Sequence, residues 1–425
     1  MRFSADWQED APNAAPEEAA TVADFTLRIA DRNVTEHRLG RRLVDEITIP
    51  LYPIAESIAY GWWAIFGGRD RAFSISATCS GLQLPDISVA FDGALLRVSA
   101  SPGASLHDPR RTTDYIVSAE EMLPRNEAER ALDGLVNTVL ERLGDRGVSE
   151  TNASVRWRRV VDSRSDPEEA SFCEAAGALG RDPYRIDDAD ADLIEKAAEH
   201  FSGEGLLEFL AGTDRARLRS TLDWIARTEA RPDAASALPG LWLPRIAAMF
   251  RDMPQPARAW QLGYPRARAF RAQLGLTSAD RTRSAGALAR RLGSSPRFAS
   301  ATADPKAMSG IRALRSDGTD AQVHIHLRRT ARDEAALFAF ARACGDVVCF
   351  PEKGRSVVND LQAAYRQAAG RAFAAEFLAP IEEIRSMEAD GYDRLAIADE
   401  FGVSPEVIDR QIENASRIDE ACAAH

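Results

Sequence analysis

Near the end of this 425-residue chain, His324, His326, Cys344, Asp346 and Cys349 lie close together in sequence. These residue types donate lone pairs to transition metals, and a metal so held turns bound water into a nucleophile near neutral pH. The segment Ala-Gln-Val-His-Ile-His-Leu at 321–327 alternates with period two, which predicts a strand carrying both imidazoles on one face. Cys344 and Cys349 are five apart, a spacing that does not place them on one helix face. A metal site built from His324, His326, Cys344, Cys349 and Asp346 is therefore one candidate chemistry, set against two polar-face histidines and two core cysteines. None of the six histidines belongs to a His-Glu-x-x-His motif. The chain also lacks a phosphate-binding P-loop, a dinucleotide fingerprint, Gly-x-Ser-x-Gly and a kinase signature.

Two helical patterns surround these residues. The first, at 338–346, reads Phe-Ala-Phe-Ala-Arg-Ala-Cys-Gly-Asp; the second, at 370–380, reads Gly-Arg-Ala-Phe-Ala-Ala-Glu-Phe-Leu-Ala-Pro. Together they resemble the ImmA/IrrE family of bacterial metallopeptidases, whose pattern runs roughly F-x-x-A-H-E-x-G-H and then E-x-x-A-N-x-F-A-A-E-L-L-M-P. Phe338, Ala341 and Gly345 match in the first segment, and Phe373, Ala374, Ala375, Glu376, Leu378 and Pro380 match in the second. The zinc-binding residues do not match. Arg342 stands at the first histidine, Ala343 at the general base, Asp346 at the second histidine, Gln367 at the acidic ligand and Arg371 at the asparagine. Arginine keeps its proton and offers no lone pair, and alanine has no base. Arg342 and Asp346, four apart on one helix, are instead expected to form an ion pair.

The resemblance covers residues 256–418 and is strongest over 338–380. It implies a zincin-type fold without catalytic residues, metal or cofactor, and a cleft that binds a protein or peptide. Active relatives cut repressors, so it also implies regulation in stress response, mobile-element control or defence. The alternatives are an active peptidase with a rebuilt metal site and a nucleic-acid-associated factor.

The nucleic-acid alternative rests on charge. Net charge is −12, yet residues 254–329 carry fourteen Arg/Lys against four Asp/Glu, whereas 166–200 carry eleven acids against three bases. Arg258, Arg266, Arg268, Arg271, Arg290 and Arg291 are candidates for a phosphate-binding surface. Pairing of the basic segment with the acidic one is the simpler expectation. Only Trp260, Tyr264 and Phe270 interleave with these arginines, which disfavours single-strand stacking. Residues 392–412 read like a helix-turn-helix, but 393–413 hold six acids and two arginines, so packing is expected there rather than DNA reading.

Bulk properties frame these readings. The length predicts two or three domains, and 45% hydrophobic with 28% charged residues fits a globular chain. Every apolar stretch is interrupted by charge, so no membrane association is expected. Five scattered cysteines without a C-x-x-C pair point to a reducing, cytoplasmic setting. Fifty of the 53 basic residues are arginine, which together with abundant alanine suggests a GC-rich bacterial genome.

The expected architecture is α+β, mostly helical and multidomain. Residues 1–23, acidic and Pro/Ala-rich without an apolar leader, are expected to form a disordered tail. Residues 24–148 are expected to form an α+β domain, 149–250 a helical middle domain and 256–425 the metallopeptidase-like domain. In the first, a helix at 54–66 carries Trp62 and Trp63, which are expected in the core. A hairpin at 87–98 turns at Asp92-Gly93, expected as type I′. In the second, Asp166-Pro167 with Glu169 predicts a capped helix start. Residues 232–239 read as a linker.

Overall fold

The computed structural model describes the chain except residues 10–13, 70, 80, 103–112, 230–235, 239–247, 251, 254–255, 295–309, 318–322, 329–331, 353 and 424–425. It is α+β and mostly helical, and it divides into two units, Met1–Ala191 and Asp192–His425. The expected linker lies largely outside the described residues. Among those described, no helix is long and apolar enough to cross a membrane.

The first unit contains three small antiparallel sheets. The first joins β1 (Arg2–Trp7), β2 (Val22–Ile29), β3 (Arg32–Asn33) and, further along, β6 (Ile47–Pro50). The second holds β4 (His37–Leu39) and β5 (Arg42–Val44) with β10 (Asp114–Tyr115); the third joins β7 (Phe73–Ser74), β8 (Asp86–Phe91), β9 (Leu95–Ser101) and β11 (Ala119–Pro124). The tail expected at 1–23 is thus corrected. Residues 2–7 alternate exposed and half-buried, pair with β2 from Arg2↔Arg28 to Trp7↔Ala23, and set Phe3 beside Phe25. A period of two outweighed the acidic composition around it.

The hairpin forms, but its turn differs from expectation. Asp92 N–H donates to Leu95 O, so Gly93 and Ala94 are the central residues, and of these only Gly93 has positive φ (99°). Positive φ at the first central position alone is the II′ pattern, and the Asp92 carboxylate stabilises it by accepting from both Ala94 N and Leu95 N.

Helices α1 (Pro16–Ala19), α2 (Tyr52–Gly67), α3 (Ile75–Thr78), α4 (Arg125–Asp145), α5 (Asn152–Ser165) and α6 (Pro167–Ala178) also belong to the first unit. Trp62 and Trp63 are 1% exposed; Trp62 meets Phe66 and Trp157, and Trp63 donates to the Tyr184 hydroxyl at 3.0 Å. Helix α6 starts with the expected cap and proline, Asp166 accepting from Glu168 N and Glu169 N and Pro167 in the first turn, but the expected capping box does not form, because Asp166 N donates to Ser163 O. Glu169 itself accepts from the Ser163 hydroxyl at 2.6 Å.

Helices α2 and α6 touch backbone to backbone. A Cβ on Gly177 would lie 1.9 Å from Trp63 O, and one on Gly67 would lie 2.2 Å from Glu174 O. Gly177→Ala must force these helices apart and is expected to destabilise the protein by about 1–3 kcal/mol. Chemical denaturation checks this, and an unchanged midpoint would contradict the crossing.

Helix α7 (Asp188–Ala198) spans the boundary between units. The second unit then contains α8 (Gly203–Gly212), α9 (Arg215–Glu229), α10 (Ala259–Gln273), α11 (Ala285–Arg291), α12 (Asp333–Cys349), α13 (Tyr365–Leu378), α14 (Ile381–Ala389), α15 (Arg394–Phe401) and α16 (Pro405–Ala423). Its antiparallel sheet runs β12 (Ser236–Leu238), β14 (Val323–Leu327), β13 (Ile311–Asp317), β15 (Ser356–Asn359). The expected middle domain, 149–250, does not form one compact unit. Its first helices, α5 and α6, pack on α2, whereas α8 packs on β15. Helix α12 lies on the sheet, and α13 packs against both α12 and α10.

Candidate functional site

The two segments that carry the resemblance meet. Helices α12 and α13 approach so closely that a Cβ on Gly345 would lie 2.6 Å from the Phe373 ring. Beside that contact, Arg342 Nη2 donates to Gln367 Oε1 at 3.0 Å and to the Asn359 carbonyl at 2.6 Å. Gln367 has further partners: Oε1 also accepts from Asn359 N at 3.0 Å, and Nε2 donates to Glu208 Oε2 at 2.7 Å and to Val357 O at 2.8 Å.

Asp346 corrects an expectation. Its carboxylate accepts from Arg366 Nε at 2.5 Å and Nη2 at 2.9 Å, from Arg315 Nη1 at 3.2 Å, and from the Ser356 hydroxyl at 2.5 Å. The ion pair expected between Arg342 and Asp346 therefore gives way to partners from β13, α13 and β15. One buried and one half-buried guanidinium in bonding geometry outcompete one helical neighbour. Burial alone would raise the Asp346 carboxyl; Arg366, Arg315 and the Ser356 hydroxyl overcome it and hold the group below the usual carboxylate range.

These positions do not fit a zinc ion. Arg342 is a cation, Ala343 is a fully buried methyl, the Asp346 oxygens accept four hydrogen bonds from three side chains, and the Gln367 amide is bonded at both atoms. The rebuilt alternative is not assembled either. Among the described residues, no three His, Cys, Asp or Glu side chains gather so as to hold a metal. His326 is buried with Nδ1 unpartnered, and burial, then His324, pushes its pKa down to about 4. Burial pushes the Cys349 thiol up to about 12 and the Cys344 thiol up as well. Cys79, Cys173, Cys344 and Cys349 are free thiols.

Sequence reasoning missed Glu208, Arg315, Ser356, Asn359 and Arg366. Glu208 is 0% exposed on α8, and its Oε1 has no partner. Burial first, then Glu204, pushes its carboxyl up to about 8. The one available signal was a single acid inside the apolar run Leu206-Leu-Glu-Phe-Leu.

Above this network lies a cleft of about 890 Å³. Ala335, Phe338, Ala339 and Arg342 of α12 form one wall, and Ala368, Arg371, Ala372 and Ala375 of α13 the other; both sets recur at three- and four-residue spacing, one face of each helix. Trp260 of α10 and Val407 and Arg410 of α16 complete it. Helix α16 is fastened there by Gln411, which accepts from the Tyr264 hydroxyl and donates to Glu376 Oε2 and Ala379 O. The α15–α16 pair is therefore packed into the unit through α10 and α13.

The arginines that were candidates for a phosphate-binding surface are dispersed. Arg268 pairs with Glu376 at 2.7 Å, buried Arg271 bonds the Phe377 carbonyl, Arg266 lies over the Phe250 ring, and Arg291 comes within 3.7 Å of Asp280. Arg258 lines the cleft, and Arg290 is exposed on α11. Further pairs, Arg281 and Arg283 with Glu400 and Arg312 with Asp360, also lie within this unit. Scans against family models, curated proteins and solved structures each return no match for this chain.

Proposed function

We propose that the unit 192–425 is a non-catalytic, ImmA/IrrE-like domain that binds a protein or peptide in the cleft between α10, α12, α13 and α16, in a cytoplasmic regulatory or defence-associated role. The observation that carries this reading is the contact of Arg342 with Gln367. The two helices that would carry zinc ligands are adjacent, a cleft lies above them, and the side chains at the ligand positions hold one another instead of an ion. Such a site has walls and a floor for a chain segment, and the side chains at the ligand and general-base positions, Arg342, Ala343, Asp346 and Gln367, offer neither an open metal site nor a free base.

Mass spectrometry of a mixed, unstructured peptide pool incubated with the purified protein, with and without added zinc, tests this. Retention of peptides with their original termini is the expected result. New termini that require the metal would overturn it.

A further inference from the structure

The lining of the cleft is unbalanced in charge. Arg258, Arg312, Arg332, Arg342, Arg371 and Arg410 face it against Glu334, Asp360 and Glu406, in a chain whose net charge is −12. The innermost of these cations differs from the rest. Arg342 is 6% exposed, its two bonds go to uncharged oxygens, and its Nε is buried without a partner. No carboxylate among the described residues pairs with it, whereas Arg315 and Arg366 nearby share Asp346. A buried cation that no carboxylate touches is costly, and burial, with Arg371 next, pushes its pKa down to about 9 against the opposing pull of Asp360 and Glu208.

Resting on the peptide-binding reading above, we propose that the occupant of this cleft is an acidic peptide and that Arg342 is its central anchor, bonding a carboxylate. Both Nη2 hydrogens are engaged by Gln367 and Asn359, which hold the guanidinium in place beforehand so that the ligand need not order it, and this leaves Nη1 to donate to the carboxylate.

Three features favour a peptide over a nucleic acid. Both walls are built largely of alanine methyls (Ala335, Ala339, Ala368, Ala372, Ala375), which admit small side chains of an extended chain. The anchor is recessed, so a carboxylate on a side-chain stem reaches it more readily than a phosphodiester within a backbone. Stacking faces are few, Trp260 and Phe338 being the aromatics in the lining. The volume lies within the usual range for ligand clefts.

Fluorescence anisotropy with three labelled probes tests the assignment: a peptide of alternating Glu and Ala, the same peptide with Gln for Glu, and a single-stranded DNA of equal charge. The acidic peptide is expected to bind at least about tenfold more tightly than its Gln counterpart and more tightly than the DNA. Arg342→Gln is expected to remove about tenfold or more of that affinity while leaving the Gln peptide unchanged. Because a core variant can fail to fold, the double variant Arg332→Gln/Arg410→Gln, on exposed residues of the lining, is measured as well; a loss of about threefold to tenfold is expected. Equal binding of the two peptides would overturn the acidic ligand while leaving a peptide cleft. Tighter binding of the DNA would replace the ligand class. Binding of neither peptide would remove the peptide-binding reading itself, and this inference with it.

Discussion

Asp346→Ala is expected to destabilise the unit 192–425 by about 3–5 kcal/mol, the usual cost of removing one partner from a buried ion pair. Its carboxylate neutralises two guanidiniums whose side chains are 3% and 14% exposed. Asp346→Asn keeps an acceptor oxygen but not the charge, and should cost less. Asp409→Ala is the control. Its pair with Arg394 is 44% and 58% exposed and should contribute only about 0–1 kcal/mol. Chemical denaturation of the full chain separates these cases, and similar losses for Asp346 and Asp409 would contradict the buried-network description.

The second large effect is in pH. The folded Glu208 carboxyl sits near 8 against an ordinary 4.5, so between those values the folded chain holds a proton that the unfolded chain has released. The folded state binds more protons there, and stability falls as pH rises through that window, by on the order of 4 kcal/mol in all. Glu204 and Asp346 push the group up, as burial does, while Arg366 and the Gln367 amide oppose them. His326 acts in the opposite sense. Its folded pKa is depressed to about 4, so its contribution is present above 6.5 and is lost as pH falls. A decline between pH 7 and 8 therefore belongs to Glu208 and not to His326. Glu208→Gln keeps an acceptor for Gln367 and is expected to be more stable than the native protein at pH 8.5 by on the order of 2–4 kcal/mol, with little gain at pH 5. An identical pH profile in the two proteins would show that Glu208 is not buried as described.

These two residues also show what a sequence can and cannot disclose. The helices that carry Arg342 and Gln367 were legible from their spacing, but the bond between the two side chains was not, since the local rule gave Arg342 to Asp346. The partners of Asp346 were not legible either. The i,i+4 rule named Arg342, but the competing donors come from Arg315 and Arg366, 31 and 20 residues away, and no local period encodes them. Glu208 was hidden for the same reason, since its bond to Gln367 spans 159 residues. The strand Arg2–Trp7 differs: its alternation is present in the sequence, but it lies in an acidic, Pro/Ala-rich stretch whose composition points to disorder. At Asp92-Gly93 the dipeptide announced a hairpin but not which residue would take positive φ.

Walls without groups to hold an ion are tested most directly by elemental analysis of untagged protein exposed to zinc and then dialysed. Zinc well below one atom per chain is expected, in the native protein and in Asp346→Asn and His326→Ala alike. One tightly held zinc per chain, lost in either variant, would contradict this.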